Sequence, residues 1–283
     1  MRWAKLTAIV SLWGFFFCFI ALVHLWISVL RLPRRWEIIS RLTRSLTFLL
    51  RRILNVKVTV VGEAEKMERG GYVIISNHLS YLDGFVLGSI FSGVFVSKRE
   101  VKKWPVIGLW TTLGGTIYIN RQRKDQLPSL IAEITRKLRD DVNVLLFPEG
   151  SSTNGERMLP FQTAPLAAPL RNRSIIVPVT LTYKSVDDKP VSESNRDLIY
   201  WYGEGDADFV PHFWKLLSLR SVEVIVTIQP KIECFRYEDN SAGRKKLAID
   251  SYNRVLGRPV ETDRSQEEDD DTTDDEPTTL LPS

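Results

Sequence analysis

The sequence predicts an α/β fold: one globular domain with a mixed sheet flanked by helices, preceded by a transmembrane helix and a basic amphipathic helix. Three features predict it. β-branched runs alternate with helix-period stretches over residues 56–258, an apolar run occupies the N-terminus, and a cluster of arginines follows that run directly.

The first element is the apolar run. From Leu6 to Leu30 only Thr7, Ser11, Gly14, His24 and Ser28 interrupt large apolar, cysteine or alanine residues, and roughly 20 such residues suffice to cross the hydrocarbon core. A cleaved signal peptide would instead show an apolar region of about 7 to 15 residues ending in a small-residue cleavage site. Neither feature is visible, so residues 1–30 are expected to form a transmembrane anchor. Arg2 and Lys5 precede it, while Arg31, Arg34, Arg35, Arg41, Arg44, Arg51 and Arg52 follow it. That asymmetry predicts a single pass with the C-terminal body on the cytoplasmic face. His24, alone and close to the arginine end, reads as an interfacial residue.

The second element is a helix over residues 31–55. Ile39, Leu42, Leu46, Leu49, Leu50 and Ile53 recur at helical spacing, opposite Arg41, Arg44, Arg51 and Arg52. Such a helix suits the headgroup layer of an anionic membrane; packing of its apolar face on the body explains the same pattern, and the two readings are compatible.

Strand candidates follow at Val56 to Val60, Tyr72 to Ser76, Val94 to Ser97, Thr116 to Ile119, Val142 to Phe147, Ile175 to Tyr183 and Val222 to Ile228. Helices are expected between or after them at Gly84 to Phe91, Leu127 to Arg139, Thr163 to Leu170 and Ala242 to Leu256. The alternation predicts one α/β domain over residues 56–258. Residues 259–283 are acidic and poor in apolar side chains, and are expected to be disordered.

Charge narrows the partners. Glu261 to Glu276 holds ten acidic residues against Arg264 alone, a local −9, so a chain of net +4 carries +13 elsewhere. A basic body calls for an anionic surface. Because its arginines cluster after an apolar span and not across a recognition motif, that surface is a membrane and not nucleic acid. The two cysteines, Cys18 and Cys234, form neither a disulfide framework nor a metal-ligand spacing.

The chemistry gathers at the end of a strand. His78 follows the apolar run Tyr72 to Ser76, and ligands commonly bind at strand ends in α/β sheets. Asp83, five residues on, can fold back toward it across one turn of the following helix. A carboxylate beside an imidazole fixes its tautomer and stabilises the imidazolium, which makes His78 a competent general base. One histidine and one aspartate at this spacing are also compatible with a purely structural role.

The run Asn77-His78-Leu79-Ser80-Tyr81-Leu82-Asp83 resembles the NHxxxxD signature of the glycerolipid, or lysophospholipid, acyltransferase family. Gly115 to Arg121 is similar to that family's second block, Phe147-Pro148-Glu149-Gly150-Ser151 to its third, and Ile176-Val177-Pro178-Val179 to its fourth. The resemblance covers about residues 56–232 and is strongest to the lysophosphatidate (1-acyl-sn-glycerol-3-phosphate) acyltransferases.

It implies direct acyl transfer: the acceptor hydroxyl, deprotonated by His78, attacks the thioester of acyl-CoA or an acyl carrier protein to make phosphatidate. No metal or organic cofactor is implied. It further implies acceptor binding by Arg121, Glu149, Gly150 and Ser151, with support from Asn77, Lys98, Ser152 and Arg157.

One position departs from the family. Its third block often continues glycine, threonine, arginine, whereas this chain runs Gly150-Ser151-Ser152, with Ser152 at the arginine position. A hydroxyl donates a hydrogen bond but brings no charge, so another acceptor, such as a lyso-aminolipid or a different lysophospholipid, is the alternative to lysophosphatidate. A non-catalytic lipid-binding protein is less consistent with an intact His78 and Asp83. Lys98, Lys102, Lys103, Trp104 and Trp110 suit a membrane-facing loop near the acyl-chain entrance, and a packed surface loop explains the same residues. His212 reads as structural.

Overall fold

The computed structural model describes residues 1–31, 35–62, 70–104, 106–120, 123–202 and 209–258. Arg34, Arg121 and the acidic tail from residue 259 lie outside these residues. Two helices come first, α1 (Arg2–Val29) and α2 (Arg35–Ile53). The body then runs β1 (Val56–Val61), β2 (Val73–Ser76), α3 (Leu82–Ile90), β3 (Val94–Lys98), α4 (Ile107–Leu113), β4 (Ile117–Ile119), α5 (Leu127–Arg139) and β5 (Val144–Leu146). It continues with α6 (Ala167–Arg171), β6 (Ile175–Val186), β7 (Lys189–Pro190), α7 (Phe209–Leu216), β8 (Val222–Ile228), β9 (Ile232–Glu233) and α8 (Ser241–Val255).

The strands form one mixed sheet in the order β1-β8-β6-β2-β5-β3-β4, with β7 and β9 also paired to β6. From β6 through β2, β5 and β3 to β4 every pairing is parallel; β8 runs antiparallel to β6, and β1 parallel to β8. All four residues of β2 and all three of β5 are buried, as strands covered by helices on both faces must be. Side-chain alternation divides the interior into two layers. Ile74, Leu145, Val177 and Val179 face the layer of α2, α3 and α7, whereas Val73, Ile75, Val144, Leu146 and Ile176 face the layer of α5, α6 and α8.

α1 has the length and apolarity to cross a membrane, with a mean hydropathy of 2.4 over its most apolar stretch. Ile9, Phe16, Ile20 and Ile27 make its one buried stripe, and most of its other large side chains are exposed. It runs antiparallel to α2, because Lys5 Nζ donates to the carbonyl of Leu54 at the end of α2 (3.2 Å) and to that of Leu219 (2.7 Å). His24 meets the end of α4, its Nε2 lying 3.1 Å from the Leu113 carbonyl oxygen.

For α2 the structure shows packing on the body. Ile39, Leu46 and Leu50 are buried, and Thr47 Oγ1 donates to the Gly88 carbonyl on α3 at 2.7 Å. Trp36 is the wedge at its start. Its ring lies 3.1 Å from the buried Lys137 Nζ on α5, and burial pushes that amine down to about 7 while the ring face favours the cation. Another neighbour of Trp36 is Gly115, at φ 79°, where an added Cβ would overlap the ring. Gly115→Ala is therefore expected to cost about 1–3 kcal/mol of stability, read as a lower thermal midpoint. An unchanged midpoint would show that Trp36 is not docked there.

Several boundaries differ from expectation. The helix expected over 163–170 forms only at Ala167–Arg171, because Pro165 disfavours helix at the residue before it and donates no N–H. The expected loop around Lys98 to Gly108 instead contains a 3₁₀ turn, Arg99–Lys103, and leads into α4. Trp110, expected at a membrane-facing surface, is only 7% exposed and stacks on Phe85 with centroids 5.2 Å apart.

Candidate active site

The site begins where β2 ends. Asn77 continues the sheet with its side chain: its Nδ2 donates to the Leu181 carbonyl (3.0 Å) and its Oδ1 accepts from the Leu181 N–H (2.8 Å). That two-point bridge to β6 holds the chain as it leaves the strand and turns toward α3. Asp83, in the first turn of α3, points back into this turn. Its Oδ2 accepts from the backbone N–H of Leu79 (2.6 Å) and Ser80 (2.9 Å) and lies 2.8 Å from His78 Nδ1. The carboxylate is wholly buried and the imidazole 21% exposed. Since a carboxylate accepts, the proton sits on Nδ1, which leaves Nε2 with a free lone pair.

The ring is also held in place. It stacks on Phe147 with centroids 4.1 Å apart and planes 13° from parallel. The backbone of His78 is fixed on both sides, with its N–H donating to Glu149 Oε1 (2.7 Å) and its carbonyl accepting from Thr153 N–H (3.0 Å). Hydrogen bonds thus tie the segment after β5 to the segment after β2, neighbours in the sheet although about 70 residues apart in sequence.

Beside His78 lies a cavity of about 720 Å³. Gly150, Ser151 and Ser152 supply polar lining, with Gly150 at φ 79° placing its backbone at the wall. Phe85, Phe95, Trp104, Ile107 and Trp110 supply an apolar wall, and Lys98 and Glu100 line it as well, Glu100 being exposed. A basic ring nitrogen beside an apolar cavity of this size can deprotonate a hydroxyl carried on a hydrocarbon chain.

The expected site residues separate as follows. His78, Asp83, Asn77, Gly150, Ser151, Ser152 and Lys98 come together around the turn and the cavity. Arg157 is exposed and does not line the cavity. Glu149, expected to bind the acceptor, lies beneath the cavity wall and is not among the residues that line it. It is 4% exposed, and its second oxygen, Oε2, accepts from the Leu159 N–H at 2.7 Å. Burial pushes its carboxyl above the usual carboxylate range, while the two backbone N–H groups pull it down. With each oxygen engaged by a backbone donor, Glu149 braces the loop from beneath.

Other participants were not foreseen. Tyr183 on β6 donates to Asp83 Oδ1 at 2.7 Å. Tyr81 and Trp201 line the cavity, and the Tyr81 hydroxyl lies 2.8 Å from His212 Nδ1, which gives His212 a packing partner consistent with a structural role. Tyr183 lies just past the fourth block, and that proximity was the one sequence signal available for it.

This architecture is shared. The crystal structure of the 1-acyl-sn-glycerophosphate acyltransferase PlsC from Thermotoga maritima superposes with a TM-score of 0.58, covering 91% of this chain and 96% of that one at 16% identity. The fold is thus that of an acyltransferase, and an acyltransferase family model matches residues 57–182. Two relatives extend the likeness. A lyso-ornithine lipid O-acyltransferase of Rhizobium meliloti (strain 1021) is 29% identical over 263 residues, 89% of this chain and 84% of that protein. A 1-acyl-sn-glycerol-3-phosphate acyltransferase of Neisseria gonorrhoeae is 24% identical over 187 residues, 66% of this chain and 70% of its own length. Residues 57–182 thus carry an acyltransferase domain, similar to those of lysophospholipid-type acyltransferases.

Proposed function

We propose that this enzyme transfers a fatty acyl group from a thioester donor to the free hydroxyl of a lyso-aminolipid, with lyso-ornithine lipid as the acceptor. The observation that carries the reaction is the His78 Nδ1 to Asp83 Oδ2 bond of 2.8 Å at the wall of an apolar cavity. His78 Nε2 removes the acceptor's hydroxyl proton as the oxygen attacks the thioester carbonyl. The tetrahedral adduct then collapses, the carbon–sulfur bond breaks, and the departing thiolate takes the proton back from the imidazolium that Asp83 has stabilised. The donor is acyl-CoA or acyl carrier protein, and no metal or further cofactor enters the scheme.

The acceptor reading rests on charge. An ornithine headgroup carries an ammonium and a carboxylate, and the cavity is lined by Glu100 and Lys98 together with the uncharged donors Ser151 and Ser152. Where a phosphate-binding arginine stands in related third blocks, Ser152 brings no charge. The greater similarity to the Rhizobium relative supports the same choice. Lysophosphatidate is the second reading, favoured by the basic residue Arg121 closing the second block. It would make the enzyme a 1-acylglycerol-3-phosphate O-acyltransferase.

An acceptor panel at equal concentration separates them. A charge-matched headgroup contact contributes roughly 1.5–3 kcal/mol, so kcat/KM for lyso-ornithine lipid is expected to exceed that for lysophosphatidate by about 10- to 100-fold. The reverse order would establish lysophosphatidate as the substrate.

α1 supports a membrane location, and we take it as the anchor, with the body on the cytoplasmic face of an anionic membrane. Arginines between Arg31 and Arg52 support that orientation through the positive-inside tendency.

A further inference from the structure

The general-base reading leaves open what sets the strength of the Asp83 carboxylate. Its Oδ2 is shared among three donors, the N–H groups of Leu79 and Ser80 and the imidazole Nδ1. Its Oδ1 has one described protein partner, the Tyr183 hydroxyl at 2.7 Å, which arrives from β6, one hundred residues away in sequence. Tyr183 is 4% exposed, and its ring meets Tyr200 edge-on at 5.5 Å. We propose that Tyr183 is a positioning residue that sets how firmly Asp83 holds the proton on His78; this rests on His78 acting as the general base.

Each donor to a carboxylate withdraws charge from it, and in a buried site that effect is undiluted by water. With Tyr183 donating to Oδ1, less negative charge faces the imidazolium through Oδ2, so the ring releases its proton more readily and is a free base at lower pH. Burial, with Asp83 beside it, raises the Tyr183 hydroxyl well above its ordinary value, so it remains a neutral donor throughout the working range. Among the described residues, Lys98 and Glu100 line the same cavity as His78, and three further titratable groups face the pair. They are Glu149 from the segment after β5, Tyr81 at the start of α3, and Tyr200 from the segment preceding α7. Burial raises both tyrosines, which are therefore neutral too. None of the three is altered when Tyr183 alone is changed.

The test is the pH dependence of kcat/KM for acyl transfer by the full chain in lipid vesicles, comparing wild type with Tyr183→Phe and Tyr200→Phe. Removing the Tyr183 hydroxyl is expected to move the acid limb to higher pH by roughly half to one unit, and Tyr200→Phe to leave it in place. Replacing Tyr183 with 3-fluorotyrosine, a stronger donor of nearly the same size, should move the limb to lower pH and covers the case in which Tyr183→Phe folds poorly. An acid limb that stays at its wild-type position in both Tyr183 variants would overturn the inference, whatever happens to the plateau rate. Failure of the general-base reading looks different, because His78→Ala would then retain transfer.

Discussion

His78→Ala is expected to lower kcat for acyl transfer by about 10²- to 10⁴-fold, the range that general-base catalysis typically supplies, with little change in thermal stability. Both halves follow from the geometry. The imidazole is the one basic group beside the cavity whose second nitrogen is already oriented by a carboxylate. Its removal does not strand Asp83, which still accepts from Leu79 N–H, Ser80 N–H and the Tyr183 hydroxyl. Backbone bonds from His78 to Glu149 and Thr153 are independent of the side chain. Loss of stacking on Phe147 is the main structural cost. The measurements are acyl transfer under saturating donor and a melting curve of the same preparation. Transfer within tenfold of wild type in a folded variant would remove His78 from the mechanism.

The largest effect on stability is expected at Glu149. Glu149→Ala leaves the N–H groups of His78 and Leu159, both part-buried, without the buried carboxylate that accepts from them. An unsatisfied buried donor costs about 1–3 kcal/mol, so two cost roughly 2–6 kcal/mol together. For a body of this size that is a fall in melting temperature of about 5–20 °C. Activity should fall with it, because His78 is held through its own N–H. A Glu149→Ala protein that melts like wild type and shows only a raised KM for the acceptor would restore direct acceptor contact, the role its motif implies.

That difference between implied and observed roles marks how far the sequence could be read. Each of the seven β-rich runs became a strand, because a strand covered on one or both faces selects β-branched residues over a handful of positions. The α5 range, Leu127–Arg139, was legible to the residue since its polar and apolar faces separate cleanly. By contrast α4 and α7 are only about two turns long, too short for a helical period to be told from a strand in the sequence. The two-residue strands β7 and β9 carry no pattern of their own and exist because β6 offers them an edge.

At the site the same division holds. His78 and Asp83 were legible as a pair because five residues span one turn, so local backbone geometry alone brings them together. The sequence by itself thus determined the fold class, the apolar N-terminal helix, the His78–Asp83 pair and the acyltransferase resemblance. Only the tertiary structure decided that Glu149 faces inward, that Tyr183 completes Asp83, that α2 lies on α3, and that Trp104 and Trp110 wall the cavity. The reason is topological. In a parallel sheet, neighbouring strands such as β2, β5 and β6 are separated by long crossovers, so side chains that touch at their ends leave no spacing in the sequence from which their contact can be inferred.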